Sequence, residues 1–460
     1  MTTSEVELLP RQRLSVVRAV LGPSGPGTDH QEPAPAGRSQ PPDGANHGRA
    51  ETAEVCDHEP GPGVFMSDHT VIEESRDLLG DTVALRRRLH ERPELGLHLP
   101  ETQAAVLDAL SGLPLTITKG RETTSVVAVL EGARPGPTTL LRGDMDALPL
   151  QEDTGLAFAS GVDGAMHACG HDAHIAMLAG AARLLSGRRS DLAGRVVFMF
   201  QPGEEGFGGA AVMLEEGLLD RHGLIDRAFA IHMTPSIPAG VVATRSGAFM
   251  ASSDSFTVTI TGKGGHASMP HEAVDPVPVA CELVTALQAM VTRRVDVFDP
   301  AVITVASISA GTTFNVIPET AVLMGTVRAV SEKARRIALD GLTRVVEHIA
   351  AAHMCQAVVE WPMHDYPVTI NSDPAAERTL GVATDLLGGE RVLRMPAPVM
   401  GAEDWSFVLQ RVPGSMAFLG ARPDGVAHPA PNHSNRMVID EDAMATGIAL
   451  HAAMAMAPGD

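Results

Sequence analysis

Between residues 138 and 231, short apolar runs alternate with longer helical ones, and no other feature limits the folds open to this 460-residue chain as strongly. Thr139-Leu140-Leu141 reads as a strand, residues 174–185 as an Ala-rich helix, and residues 196–200 and 228–231 as further buried strands. A helix between two strands carries the chain back across the sheet, so the strands run the same way. The pattern predicts an α/β fold, a mixed and mostly parallel sheet with helices on both faces.

Near Ser252 the style changes. Phe256, Val258 and Ile260 alternate with Thr257 and Thr259, the period of a strand with one solvated face. A helix over 276–293, strands over 302–309 and 320–327, a helix over 332–353 capped by Ser331, and a strand over 357–361 follow. The order β-α-β-β-α-β predicts a ferredoxin-like second domain inserted at 251–362, which splits the main domain into 66–250 and 363–460. Helical spacing runs from Val71 to Leu89. Residues 1–65 hold nine prolines and eight glycines and little apolar periodicity, so they predict a disordered extension, with Met66 as the natural start.

Composition removes several functions. Fifty-six acidic against thirty-five basic residues give a net charge of −21, which repels phosphate backbones and predicts no nucleic-acid partner. Aromatic residues, at 3%, are too few for a base-stacking surface. No uncharged apolar run reaches the roughly 18 residues a spanning helix needs, so no membrane role is expected. Cys56, Cys169, Cys281 and Cys355 are too scattered for a disulfide framework and predict a reducing, cytoplasmic setting.

Ligands of parallel sheets sit beyond the C-terminal ends of the strands. Arg142-Gly143-Asp144-Met145-Asp146 follow the first strand, Gln201-Pro202-Gly203-Glu204-Glu205 the second and His232 the third. His167-Ala168-Cys169-Gly170-His171-Asp172-Ala173-His174 lies between the first two. Taken singly, each has an ordinary explanation: a satisfied structural histidine, a solvated acidic pair, a small buried thiol. Their convergence on one edge is another matter, because Cys, His and Glu together form a ligand set for a borderline divalent ion. Adjacent Glu204 and Glu205 point different ways, so one can bind metal while the other takes a proton from a metal-activated water and delivers it to a leaving amine.

These segments resemble the M20 metallopeptidase family, above all in His167-Ala168-Cys169-Gly170-His171-Asp172, Pro202-Gly203-Glu204-Glu205-Gly206 and Ile231-His232-Met233. The nearest likeness is to its amidohydrolases of hippurate, N-acyl amino acids and auxin conjugates. Leu89-His90-Glu91-Arg92-Pro93-Glu94-Leu95-Gly96, Gly264-Gly265-His266-Ala267-Ser268, Phe314-Asn315-Val316-Ile317-Pro318 and Gly401-Ala402-Glu403-Asp404-Trp405-Ser406 extend it over about residues 70–455. The resemblance implies two divalent ions per subunit, zinc or manganese with cobalt possible, and a small-molecule N-acyl amino acid as substrate. It implies that Cys169 bridges the ions, that His171 and His232 complete one site, and that Glu205 and His433 complete the other. Glu204 would be the general base, and the Asp146 carboxylate would orient a ligand imidazole. His433 is preferred to nearby His428 because it precedes the family-like Val438-Ile439-Asp440-Glu441, although Asn435 stands where relatives commonly have proline. The inserted domain would be a lid and dimerisation domain of a homodimer or higher homo-oligomer, with His266 reaching a neighbouring subunit's site. Asn315 and Arg328 are candidates for holding a substrate carboxylate or carbonyl.

Other readings use the same residues. Cys169 could be a nucleophile with His171 or His174 as its base, but the tight Cys-Gly-His turn makes in-line activation awkward and leaves the acidic pair without a role. A non-catalytic binding protein would lack the base, and Glu204 is present. Dipeptidase, carboxypeptidase or desuccinylase specificity fits the same fold. His90, His98 and His174 read as structural or outer residues, Cys281 and Cys355 as buried thiols in helical runs, and Met250, Met324 and Met416 as core fillers. Glu403 and Asp404 suit a pocket floor, or Asp404 a helix cap.

Overall fold

Three of the strands read from the sequence lie side by side at the centre of an eight-stranded sheet. The structure, a computed structural model, describes residues 69–361 and 365–458; the expected extension at 1–65 and the start at Met66 lie outside the described residues. The sheet order is Thr116–Lys119, Val126–Glu131, Ala193–Gln201, Arg134–Asp144, Arg227–Pro238, Gly414–Arg422, Val242–Thr244 and Val392–Arg394. Arg134–Asp144 runs parallel to both neighbours, and Gly414–Arg422 parallel to Arg227–Pro238. Val126–Glu131 pairs antiparallel with both Thr116–Lys119 and Ala193–Gln201, and gives the sheet its mixed character.

Both faces are buried, as a crossover sheet requires. Val196, Phe198 and Phe200 point into one core with the helices His171–Gly187 and Ala443–Met456. Val197 and Met199, one residue out of step, enter a second core with Trp405, Val408 and Met213. The strands outrun the apolar signal: Arg134–Asp144 opens on an exposed Arg-Pro-Gly-Pro stretch that carries no hydrophobic period. The spacing over 71–89 forms two helices, His69–Asp77 and Leu79–His90. Backbone bonds from Leu78 N to Glu74 O and from Thr82 N to Leu78 O carry the turn across the break.

A second sheet holds Ala301–Ala310, Thr320–Ala329, Asp254–Thr261 and Gln356–Glu360, all antiparallel. Helices Pro276–Arg294 and Glu332–Ala352 close one face over Phe256, Val258, Ile260, Leu323 and Leu342. Ser331 caps the second helix as expected, its Oγ accepting from Ala334 N at 3.0 Å. The other face is open and leaves Val302, Ile308, Met324 and Val358 exposed. Met324 is therefore not a core filler. Cys281 is exposed on its helix, and Cys355 is buried but lies just beyond one. The outgoing and returning chains meet where Ser253 and Tyr366 exchange backbone bonds of 2.9 and 2.8 Å.

Candidate metal centre

The chemistry gathers where the crossover topology brings strand ends together. Asp144 closes its strand, Glu204 and Glu205 follow Gln201, and His232 lies within Arg227–Pro238. Gly170, at φ 92°, turns the chain into the helix His171–Gly187 and leaves Cys169 at its mouth. His433 arrives from the loop after Gly414–Arg422 with a left-handed backbone, φ 67°.

The donor atoms of Cys169, His171 and His232 lie within 4.8 Å of one another, and so do those of Cys169, Glu205 and His433. Cys169 belongs to both sets. Its Sγ is 3.3 Å from His232 Nε2, and His433 Nε2 is 3.3 Å from Glu205 Oε1. The imidazoles are pre-set as ligands. His171 Nδ1 donates to the Asp146 carbonyl and His232 Nδ1 to the Met233 carbonyl, both at 2.8 Å, so each presents Nε2 to the cluster. His171 Nε2 and Glu205 Oε1 are buried and make no hydrogen bond among the described residues. Unpaired buried atoms are destabilising unless a ligand satisfies them, and this donor set fits a divalent cation.

The field agrees. Burial alone would keep His171 neutral, yet the Asp144, Asp146 and Glu205 carboxylates together outweigh it and raise the imidazole to about 10. Burial, then the Glu205 and Glu204 carboxylates, push the Cys169 thiol well up, while burial holds His232 well below its usual value. A thiolate–imidazolium nucleophile is thus disfavoured between them. Burial and the neighbouring Glu403, Glu205 and Asp404 raise Glu204 well above the usual carboxylate range. Burial raises Asp404 to about 7 against the pull of Arg142.

A supporting layer holds these groups. His174 donates from Nδ1 to Asp144 at 2.5 Å and accepts from Met233 N at 2.8 Å, so neither nitrogen is free for a metal. Buried Arg142 binds Asp144 at 2.5 Å, Glu403 at 2.6 Å and Asp404 at 3.1 Å. Asp404 does not cap the helix Trp405–Leu409; its carboxylate accepts instead from Arg142, Gln201 and Ala210 N. The Asp146 carboxylate lies 3.7 Å from His171 Nδ1, beside the stronger bond to its own backbone carbonyl, and it also accepts from Glu204 N and Glu205 N at 2.8 and 3.0 Å. On the far side, Asp172 accepts from Arg86 and His90, both at 2.8 Å.

Cys169, Glu204, Glu205, His232, His433 and Arg328 line one cavity of about 640 Å³, with Met250, Val399 and Phe418 as its apolar wall. A larger cleft of about 700 Å³, beside Arg76 and Arg391, has no thiol or imidazole in its lining. The Arg328 guanidinium makes no hydrogen bond or ion pair among the described residues. Asp254, which could pair with it, is held by Arg335 at 2.6 Å. His266 and Asn315 do not line the cavity. Both are exposed, with His266 bonded to Ser268 at 2.8 Å and Asn315 to Thr313 at 3.1 Å. Sequence reasoning missed Arg142 and Tyr366, since neither belongs to a ligand pattern. The Arg-Gly-Asp at the strand end was the one available signal for Arg142.

An α/β core with a thiol–imidazole–carboxylate cluster at its sheet edge and an inserted antiparallel lobe defines the class. The sequence pattern of peptidase family M20/M25/M40 matches residues 140–457, and the chain belongs to that family of hydrolases. It is 38% identical to thermostable carboxypeptidase 1 of Saccharolobus solfataricus over 81% of this chain and 94% of the relative. It is 37% identical to N-acetylcysteine deacetylase of Bacillus subtilis over 79% of this chain and 92% of that one. Among solved structures, the Bacillus subtilis YXEP protein, described as a dinuclear metal-binding peptidase of family M20, superposes with a TM-score of 0.71. Identity there is 33%, over 83% of this chain and 98% of that one.

Proposed function

We propose that this protein is a metal-dependent amidohydrolase that cleaves the amide bond of N-acyl amino acids. The observation that carries the reading is the buried Glu204 carboxylate beside two overlapping ligand sets that share Cys169. Cys169 would bridge two divalent ions, His171 and His232 completing one site and Glu205 and His433 the other, as the dinuclear relative suggests. The donor set suits zinc and admits manganese or cobalt. When bound, such ions supply Lewis acidity that activates water and polarises the scissile carbonyl. Glu204 takes the proton of the attacking water and returns it to the leaving nitrogen, and burial beside other carboxylates raises its proton affinity. Arg328, half-buried and unpaired among the described residues, receives the substrate's carboxylate.

His266 and Asn315 lie outside their own chain's cavity, which is consistent with the reading that His266 reaches the site of a second copy in a homodimer or higher homo-oligomer. The carboxypeptidase relative supports a second reading, peptide cleavage at the same site. Desuccinylase specificity is less favoured, because Arg328 is the one lysine or arginine among the described lining residues and such a substrate brings two carboxylates. No helix among the described residues is long and apolar enough to cross a membrane. The test is a panel of N-acyl amino acids and unblocked dipeptides, each assayed with zinc, manganese and cobalt. Turnover confined to the acylated set supports the proposal, turnover confined to dipeptides replaces it with the peptidase reading, and no turnover of either rejects both.

A further inference from the structure

The loop that carries Glu204 and Glu205 has little of its own to hold it. It leaves the sheet after Gln201, and Gly203, Gly206 and Gly208 all have positive φ, at 75°, 87° and 64°. Gly206 and Gly208 bracket the turn in a backbone shape that side-chain-bearing residues rarely adopt. Such a loop keeps one conformation only if outside groups satisfy its backbone. The Asp146 carboxylate does so for the amides of Glu204 and Glu205. Within the loop, Gly206 N donates to Glu204 O at 2.7 Å and Gly209 N to Gly203 O at 3.0 Å, and three further bonds converge on a single atom. Tyr366 Oη donates to Glu204 O at 2.6 Å and accepts from Gly206 N at 3.0 Å and Gly208 N at 3.1 Å. A phenol hydroxyl offers one donor and two acceptor sites, so its capacity is filled.

Tyr366 is the chain's only tyrosine, 6% exposed, with its ring edge-on to Phe407 at 6.1 Å. Its backbone is fixed as well, by the paired bonds to Ser253. We infer that Tyr366 is a positioning residue for hydrolysis: its hydroxyl sets the Glu204–Gly208 turn so that the Glu204 carboxylate meets the reacting atoms. In this role it acts through the turn, although Tyr366 also lines the cavity. Without the hydroxyl, Gly208 N loses its partner, Glu204 O and Gly206 N keep only their bond to each other, and the turn relaxes. A displacement of about 1 Å at a proton-transferring group is enough to lower a rate on the order of a hundredfold.

The inference rests on the amidohydrolase reading, and the experiment separates the two. Wild-type protein is assayed first on N-acyl amino acids; absence of turnover rejects the reading itself. With an active wild type, Tyr366→Phe keeps the ring and removes only the hydroxyl. The expected result is a kcat at least about tenfold lower, KM within about twofold, metal content unchanged, and faster amide exchange at Gly206 and Gly208. A purely structural role would lower thermal stability and leave kcat per metal-loaded molecule intact, and that outcome overturns the inference. So does a loss of metal with normal kcat per remaining metal, since the hydroxyl would then serve Glu205 rather than Glu204. If the variant does not fold, amide exchange in wild type decides: protected Gly206 and Gly208 amides support the inference, and unprotected ones overturn it.

Discussion

The two larger sheets of the described residues, and the lobes built on them, treat polar groups in opposite ways. At the edge of the eight-stranded sheet, Arg142, Asp144, His171, His174 and Asp404 are all but inaccessible, and most of their polar atoms are paired within the chain. On the lobe of the four-stranded sheet the notable polar residues, His266 and Asn315, are exposed, and their side chains are bonded only to neighbours two residues away. One region is complete in itself, apart from the unpaired atoms that a cation would satisfy. The other presents groups and an open apolar face that find no use inside their own chain. A buried charge network also fixes its geometry before substrate arrives, whereas an exposed histidine is placed only when something docks against it.

That contrast can be broken at several points. Stripping metal should have the largest effect: chelation abolishes hydrolysis, and zinc, manganese or cobalt restores it. Undiminished turnover by protein shown to be metal-free would remove the main sheet's cluster from the chemistry. Next comes Glu204→Gln, expected to lower the rate by about 10²–10⁴-fold while metal content holds, with Glu205→Gln lowering metal occupancy instead. The reverse pattern would exchange the two roles. His266→Ala should cost roughly 10²–10³ in rate. Mixed with Glu204→Gln chains it should regain activity, because one site of each mixed dimer then has both groups intact. No recovery despite demonstrated subunit exchange would return His266 to its own chain.

The smallest effect concerns stability. Burial opposes the charge on His90, but the Asp172 and Glu152 carboxylates outweigh it and raise the imidazole to about 9. A raised folded-state pKa stabilises fully below the unfolded value near 6.5 and loses that stabilisation as pH climbs through 9. His90→Gln should therefore lower the melting temperature at pH 6 and differ little from wild type near pH 10. An equal difference at both pH values would show that His90 contributes by packing rather than charge.

Sequence patterning carried the fold far because both sheets have plain periods. Val196 to Phe200 is continuously apolar, as a strand buried on both faces must be, and Phe256 to Ile260 alternates, as a half-solvated one must. The ligand set was legible for a similar reason: Cys169 and His171 sit at a helix start, Glu205 follows a strand end closely, and His232 ends the apolar run of its strand. Other features left no local trace. Arg142 meets Glu403 across 261 positions, and Tyr366 meets Glu204 across 162, so neither contact has a period or spacing to announce it. Asp146 shows a subtler limit. Its importance was visible, but that its carboxylate also holds the Glu204 and Glu205 amides is seen only in the fold of that turn.

His433 draws a last consequence from its φ of 67°. For a residue with a Cβ, that conformation is disfavoured by on the order of 1 kcal/mol, a cost glycine escapes. Judged by folding alone, position 433 would suit glycine, or the asparagine that precedes it. Local frustration of this kind separates two properties that usually move together. His433→Gly should leave the fold as stable as before or slightly more so, while removing an imidazole that lies 3.3 Å from Glu205. The chain holds that side chain in place against its own backbone preference.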